Sequence, residues 1–101
     1  MPRPTIQLLV FKGCPLAAAA RQSLQQALDE LRLPTFEEID ILDAATPDEL
    51  RGWGSPTILI DGEDVSGNPK GNSVSCRVYD EPNGVPTSKT IGAYIASKLR
   101  P

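Results

Sequence analysis

The spacing of apolar residues changes several times along this chain, and each change marks an element. Residues 5–11 read TIQLLVF, an almost unbroken apolar run with β-branched members. It predicts a buried strand that Lys12-Gly13 ends. From about Pro15 to Leu33 the period lengthens. Ala20, Leu24, Ala27, Leu28 and Leu31 recur three and four residues apart, while Arg21, Gln22, Gln25, Asp29, Glu30 and Arg32 fall mainly outside that stripe. This is the pattern of a helix with one buried face. Pro15 suits its first position, where a missing N–H costs nothing, and Pro34 closes it.

Phe36 to Leu42 reads FEEIDIL, with Ile39 and Ile41 alternating against Glu38 and Asp40. That predicts a strand with one covered face. Thr46-Pro47-Asp48-Glu49 starts a helix: Thr46 caps, Pro47 takes the first position and Glu49 reaches back to complete a capping box. Gly52 and Gly54 stop it within about two turns. Pro56 to Ile60 reads PTILI, a buried strand; Asp61-Gly62 signals a hairpin, and Glu63-Asp64-Val65 begins the return. Gly67 to Ser75 reads as a loop, Cys76 to Tyr79 as a short extended piece and Glu81 to Pro86 as a turn region. A last helix runs from about Thr87 to Leu99, with Ile91, Tyr94, Ile95 and Leu99 on one face.

The order is β-α-β-α-β-β-α. A helix joins the first two strands, so they should pair in parallel through a right-handed crossover, whereas the last two form an antiparallel hairpin. The expectation is one α/β domain over residues 1–101, a mixed four-stranded sheet with helices on both faces. There is no internal repeat and no linker.

Composition narrows the chemistry. The net charge of −3 comes with scattered Lys and Arg and no basic stripe, which counts against nucleic acid as a partner. No apolar run approaches the ~18 residues of a membrane span. Met1-Pro2-Arg3-Pro4 lacks the apolar stretch of a signal peptide, so the cytoplasm is the expected location. The chain has no histidine. Ser-His and Cys-His nucleophile pairs are thereby excluded within one chain, and so is the commonest zinc ligand. What remains is Cys14 and Cys76, too far apart in sequence for a CxxC pair. In a reducing compartment such thiols are free or redox-active rather than a permanent staple.

Cys14 stands just ahead of the first predicted helix. The unpaired N–H groups and positive dipole end there favour an anion, and the thiolate is both the nucleophile and the metal ligand. Lys12 adds a nearby positive charge. The plainer alternative is a capping or half-buried cysteine with no chemistry. Cys76 follows a loop that leaves the return strand on the side of Cys14, so the two thiols could meet if their Cα atoms lie within roughly 7 Å. The alternative is a small residue buried on a strand. The loop Gly67 to Ser73, with Lys70, could cradle an anion such as the glutathione carboxylate, or could simply be solvated. Trp53 either walls the thiol cleft or packs under the second helix.

The element order, Cys-Pro at the first strand–helix junction, and Ser-Pro-Thr opening the third strand together resemble the thioredoxin and glutaredoxin superfamily. The resemblance spans residues 5 to about 99. Within it, the strings GCP, RGWGSPTILIDG and SCRVY resemble a small bacterial thioredoxin-like branch. The superfamily's C-x-x-C motif here reads Cys14-Pro15-Leu16-Ala17, so the second cysteine is replaced by alanine. The resemblance implies a thioredoxin-like fold and a thiol–disulfide oxidoreductase with Cys14 as nucleophile. It implies a cis-proline at Pro56, substrate contact through the backbone of Ser55, and a substrate-holding role for Thr57. Because Ala17 cannot resolve a mixed disulfide, that task falls to glutathione or to Cys76. No other cofactor is implied, and the expected partners are thiols or disulfides, protein or glutathione. Two alternatives stay open: a soft-metal site, for instance for mercury, made of Cys14 and Cys76, and a redox-inactive interaction module that keeps only the fold.

Overall fold

The structure, a computed structural model, describes residues 5–33, 35–65 and 84–99. The elements follow the predicted order: β1 (Ile6–Val10), α1 (Ala17–Leu31), β2 (Glu37–Asp40), α2 (Asp48–Arg51), β3 (Thr57–Ile60), β4 (Glu63–Asp64) and α3 (Ser88–Leu99). The strands form an open four-stranded sheet in the order β2-β1-β3-β4. β1 pairs in parallel with β2 and antiparallel with β3, and β3 pairs antiparallel with β4. The protein is therefore an α/β structure built on a mixed sheet.

β1 is a central strand, and both its faces are covered. Because side chains alternate across a strand, Ile6, Leu8 and Val10 point to one face, where they join Ile58 and Ile60 of β3 and Ala20, Leu24, Ala27 and Leu28 of α1. Ile91 and Ile95 of α3 complete that core. Leu9 points to the opposite face and packs with Ile41 and Leu59, beside Leu50 of α2 and Trp53. Helices thus flank both faces. Leu8, Leu9, Leu24, Leu28, Ile58 and Ile60 are fully buried, each contributing about 1.5–3 kcal/mol of apolar transfer energy.

The turns explain the chain reversals. Asp61 (φ 53) and Gly62 (φ 82) both lie in the left-handed region, as a two-residue type I′ hairpin requires. Asp61 also accepts the Thr5 N–H on its side chain at 2.7 Å, tying the turn to the start of β1. Thr87 precedes α3, and its hydroxyl oxygen accepts the Thr90 N–H at 3.1 Å, an N-cap. Lys98 pairs with Glu63, which fastens α3 to the hairpin.

Three local expectations change. α1 is regular from Ala17 rather than Pro15, and β2 starts at Glu37 rather than Phe36. β2 is also the sheet edge, with Glu37, Glu38 and Asp40 exposed and only Ile39 half-covered. Thr46 does not cap α2. Its hydroxyl instead donates to the Asp40 carbonyl at 2.5 Å, and the residue at the cap position is Pro47. Pro34, the Gly67–Ser75 loop, the extended piece at Cys76 to Tyr79 and the first residues of the Glu81 to Pro86 turn region lie outside the described residues.

α1 ends in a Schellman arrangement. The Leu33 N–H bonds the Leu28 carbonyl at 2.9 Å and the Arg32 N–H bonds that of Asp29 at 3.2 Å. This puts Arg32 at φ 58, a conformation that costs an L side chain about 1–2 kcal/mol. Arg32→Gly removes that cost, partly offset by the greater freedom of glycine in the unfolded chain. The variant should be more stable by about 0.5–1 kcal/mol, read from the urea midpoint at unchanged slope.

Candidate functional site

The site begins where β1 runs out. The Cys14 N–H donates to the Phe11 carbonyl at 3.1 Å, closing a four-residue turn whose third position is Gly13 at φ 92. A type II turn needs that left-handed third residue. Nothing lies within 4 Å of the position a Cβ on Gly13 would take, so the backbone angle, not space, calls for glycine here. The chain then tightens again. The Ala17 N–H bonds the Cys14 carbonyl at 3.3 Å, and the first α-type bond runs from the Ala20 N–H to the Leu16 carbonyl at 3.0 Å. Pro15 therefore sits in a tight turn that leads into α1. Two consecutive turns hold Cys14 between the end of β1 and the head of α1. The residue is only 9% exposed, and its thiol is free.

That small exposure opens on a cleft of about 330 Å³. Its walls include Lys12, Cys14 and Ala17 from the turn and the start of α1, Arg21 from the next turn of α1, and Glu38 and Asp40 from β2. The parallel register sets Asp40 against Val10, which brings the carboxyl-terminal ends of two strands to one edge. Open α/β sheets commonly bind ligands at that edge. Arg21 and Glu38 close one wall with a two-pronged ion pair: Nε donates to Oε1 at 2.6 Å and Nη2 to Oε2 at 3.0 Å. The Arg21 hydrogen bond holds the Glu38 carboxyl below the usual glutamate range, against a smaller opposing effect of burial. Asp40 is ordered from two directions. Its Oδ1 accepts the Leu42 N–H at 2.9 Å, and its carbonyl accepts the Thr46 hydroxyl.

The Ser55–Pro56 peptide bond is cis. The antiparallel register pairs Leu9 with Thr57, so the ladder, extended by two residues, sets Ser55 opposite Phe11. A hydrogen bond confirms the approach: the Phe11 N–H donates to Ser55 Oγ at 3.2 Å. Ser55 and Pro56 are buried, as is Thr57. The Thr57 hydroxyl lies 3.0 Å from the Trp53 carbonyl and 3.1 Å from that of Gly54, so it is satisfied from within. A buried hydroxyl demands such a partner. Trp53 packs against the cluster of Leu9, Ile41 and Leu59 rather than lining the cleft.

Of the residues singled out in the sequence, Cys14 lines the cleft and Ser55 and Pro56 stand across the strand that leads to it. Cys76, and the Gly67 to Ser73 loop with Lys70, lie outside the described residues. Sequence reasoning missed Arg21, Glu38 and Asp40. The signal was present in the β-α-β order, which makes the first two strands parallel and their polar ends neighbours, but the register that chooses these particular residues is not. Among the described residues no group of three or more His, Cys, Asp or Glu could hold a metal ion, and no helix is long and apolar enough to cross a membrane. Comparison of the chain with protein-family models, with curated proteins and with solved structures gives no match.

Two outcomes follow from this geometry. Because the Glu38 carboxyl is held low, its pairing stabilises the fold fully above the ordinary glutamate pKa of about 4.3, and that contribution fades as pH falls through the lower folded value. Glu38→Gln should therefore lower the urea midpoint near neutral pH by the equivalent of about 0.2–1 kcal/mol, the range for a half-exposed pair. At strongly acidic pH, variant and parent should unfold together. Ala17 lines the cleft beside Cys14 and bonds its carbonyl, which brings the two Cα atoms within the ~7 Å reach of a disulfide. Ala17→Cys should then form an intramolecular bond to Cys14 under mild oxidation, identified by peptide mass mapping.

Proposed function

We propose that this chain is a thioredoxin-like thiol–disulfide oxidoreductase with Cys14 as its nucleophile. The observation that carries this reading is a cysteine with a free thiol, held by two turns between a central strand and a helix, that lines a cleft. Most buried cysteines only fill space; this one lines a cavity with charged walls. The mixed sheet in the order β2-β1-β3-β4 and the cis Ser55–Pro56 bond across from Phe11 accord with the thioredoxin and glutaredoxin resemblance. A reducing cytoplasm is the setting in which such a thiol stays available.

The reaction is exchange. The Cys14 thiolate attacks one sulfur of a disulfide, that S–S bond breaks, and the departing sulfur leaves as a thiolate and takes up a proton. A mixed disulfide between Cys14 and the retained half remains. A second thiolate, from a low-molecular-weight thiol such as glutathione, attacks the substrate sulfur of that bond. It leaves as a new disulfide and returns Cys14 to its starting state. Ala17 offers no thiol of its own for this step. The resemblance assigns substrate contact to Ser55, Pro56 and Thr57; all three are buried and outside the lining of the cleft, and the side-chain hydroxyls of Ser55 and Thr57 are already engaged.

The test is direct. The parent protein, incubated with a small disulfide at neutral pH, should acquire a mixed-disulfide adduct that peptide mapping assigns to Cys14. Its rate per thiol should exceed that of free cysteine by about tenfold or more, and Cys14→Ser should abolish the adduct at that peptide. A parent rate no greater than that of free cysteine would sink the proposal.

A further inference from the structure

We propose that the cleft takes a small zwitterionic disulfide of amino-acid size, whose carboxylate meets Lys12 and whose ammonium meets Asp40 while Cys14 attacks its sulfur. This rests on the thiol–disulfide reading of Cys14 and adds the substrate class to it.

Size comes first. Cys14 is 9% exposed at the wall of a cleft of about 330 Å³. That volume lies near the lower end for small-molecule sites, roughly 300–1,000 Å³. It admits a compact molecule, whereas a disulfide embedded in a folded protein would have to bring flanking chain into the same space.

Charge comes next. Four charged side chains line the cleft, two of each sign. Arg21 and Glu38 satisfy one another, and both Glu38 oxygens are taken by Arg21 nitrogens. Lys12 and Asp40 remain to meet a ligand. Lys12 is exposed on the turn that ends at Cys14 and carries three donor hydrogens. Asp40 is also exposed, and the Leu42 N–H fixes its Oδ1, so the carboxylate is oriented before any ligand arrives while its other oxygen keeps acceptor capacity. The parallel ladder sets Asp40 beside Val10, with Lys12 two residues further along the same strand exit. One cation and one anion thus flank a recessed thiol. A disulfide of free amino acids carries an ammonium and a carboxylate on each half. A ligand with one sign alone would meet repulsion from one of the two residues. The chemistry is the exchange already described: the substrate S–S bond breaks, one amino-acid thiol departs and takes up a proton, and the other half stays joined to Cys14 until a low-molecular-weight thiol releases it as a disulfide.

Four small disulfides test this: cystine (zwitterionic), cystamine (dicationic), dithiodipropionate (dianionic) and hydroxyethyl disulfide (neutral). The rate of adduct formation at Cys14 is measured by peptide mapping and divided by the rate of a free thiol with the same disulfide. Cystine should lead the neutral compound by about fivefold at low salt, with the gap narrowing as salt is added. Lys12→Ala should slow dithiodipropionate and speed cystamine; Asp40→Asn, which keeps an acceptor oxygen for the Leu42 N–H, should do the reverse. Each variant should slow cystine by about threefold or more. Equal normalised rates for cystine and hydroxyethyl disulfide, or variants that move all four compounds in the same direction, would overturn the zwitterion assignment and leave the thiol chemistry standing. Absence of any adduct with all four would overturn the oxidoreductase reading together with it.

Discussion

The burial of β1 on both faces is the constraint from which the rest of the structure follows. A strand covered on one side by α1 and α3 and on the other by Leu59, Ile41 and Trp53 has no freedom to slide. A shift of one residue would exchange Leu8 for Leu9 and leave each facing the wrong core. Its register with β2 and β3 is thereby fixed, and so is the point at which it ends. The chain beyond Val10 is delivered to one place, and the two turns that follow need only Gly13 and a pair of backbone hydrogen bonds to present Cys14 there. The site takes its position from the strand, and the hydrogen bonds of the two turns hold Cys14 there.

Much of this was legible in the sequence because it depends on local period and turn chemistry. The apolar run of β1, the stripe of Ala20, Leu24, Ala27 and Leu28, and the Asp61-Gly62 hairpin all form as their spacing and backbone preferences dictate. Two of the deviations share a cause as well, since in each a competing hydrogen bond decided a local boundary. The i to i+3 bond from Ala17 to Cys14 keeps Pro15 out of the regular helix. The Thr46 hydroxyl donates to the Asp40 carbonyl, and α2 has no side-chain cap. A capping signature in sequence carries no information about such a distant acceptor. The edge position of β2 likewise follows from strand order, which no single strand encodes.

The candidate site divides along the same line. Cys14 was visible because its position at a strand–helix junction is a local property. Arg21, Glu38 and Asp40 were not, because they come together only through the β1–β2 register. On α1, Arg21 reads as one more polar residue outside the apolar stripe; on β2, Glu38 and Asp40 read as the exposed half of an alternation. Their chemical meaning arises when the parallel pairing carries the end of β2 to the mouth of the β1–α1 turn. Local pattern thus reveals the cysteine at the junction, while the charged walls around it depend on tertiary placement.

That residue 17 is alanine rather than a second cysteine bears on how the proposed exchange would turn over. With a thiol three residues away, a mixed disulfide would be released from inside the cleft within one turn of chain, whatever the substrate. With a methyl group there, release waits for a second thiol that must approach from elsewhere. A substrate small enough to leave part of the cleft open permits that approach, whereas a bulky one would shield the mixed disulfide from attack. For the proposed exchange, the small volume of the cleft, the recessed thiol and Ala17 therefore point in the same direction. Each would favour a small exchange partner over a large one, and each for a different physical reason: volume, access and the lack of a neighbouring nucleophile at residue 17.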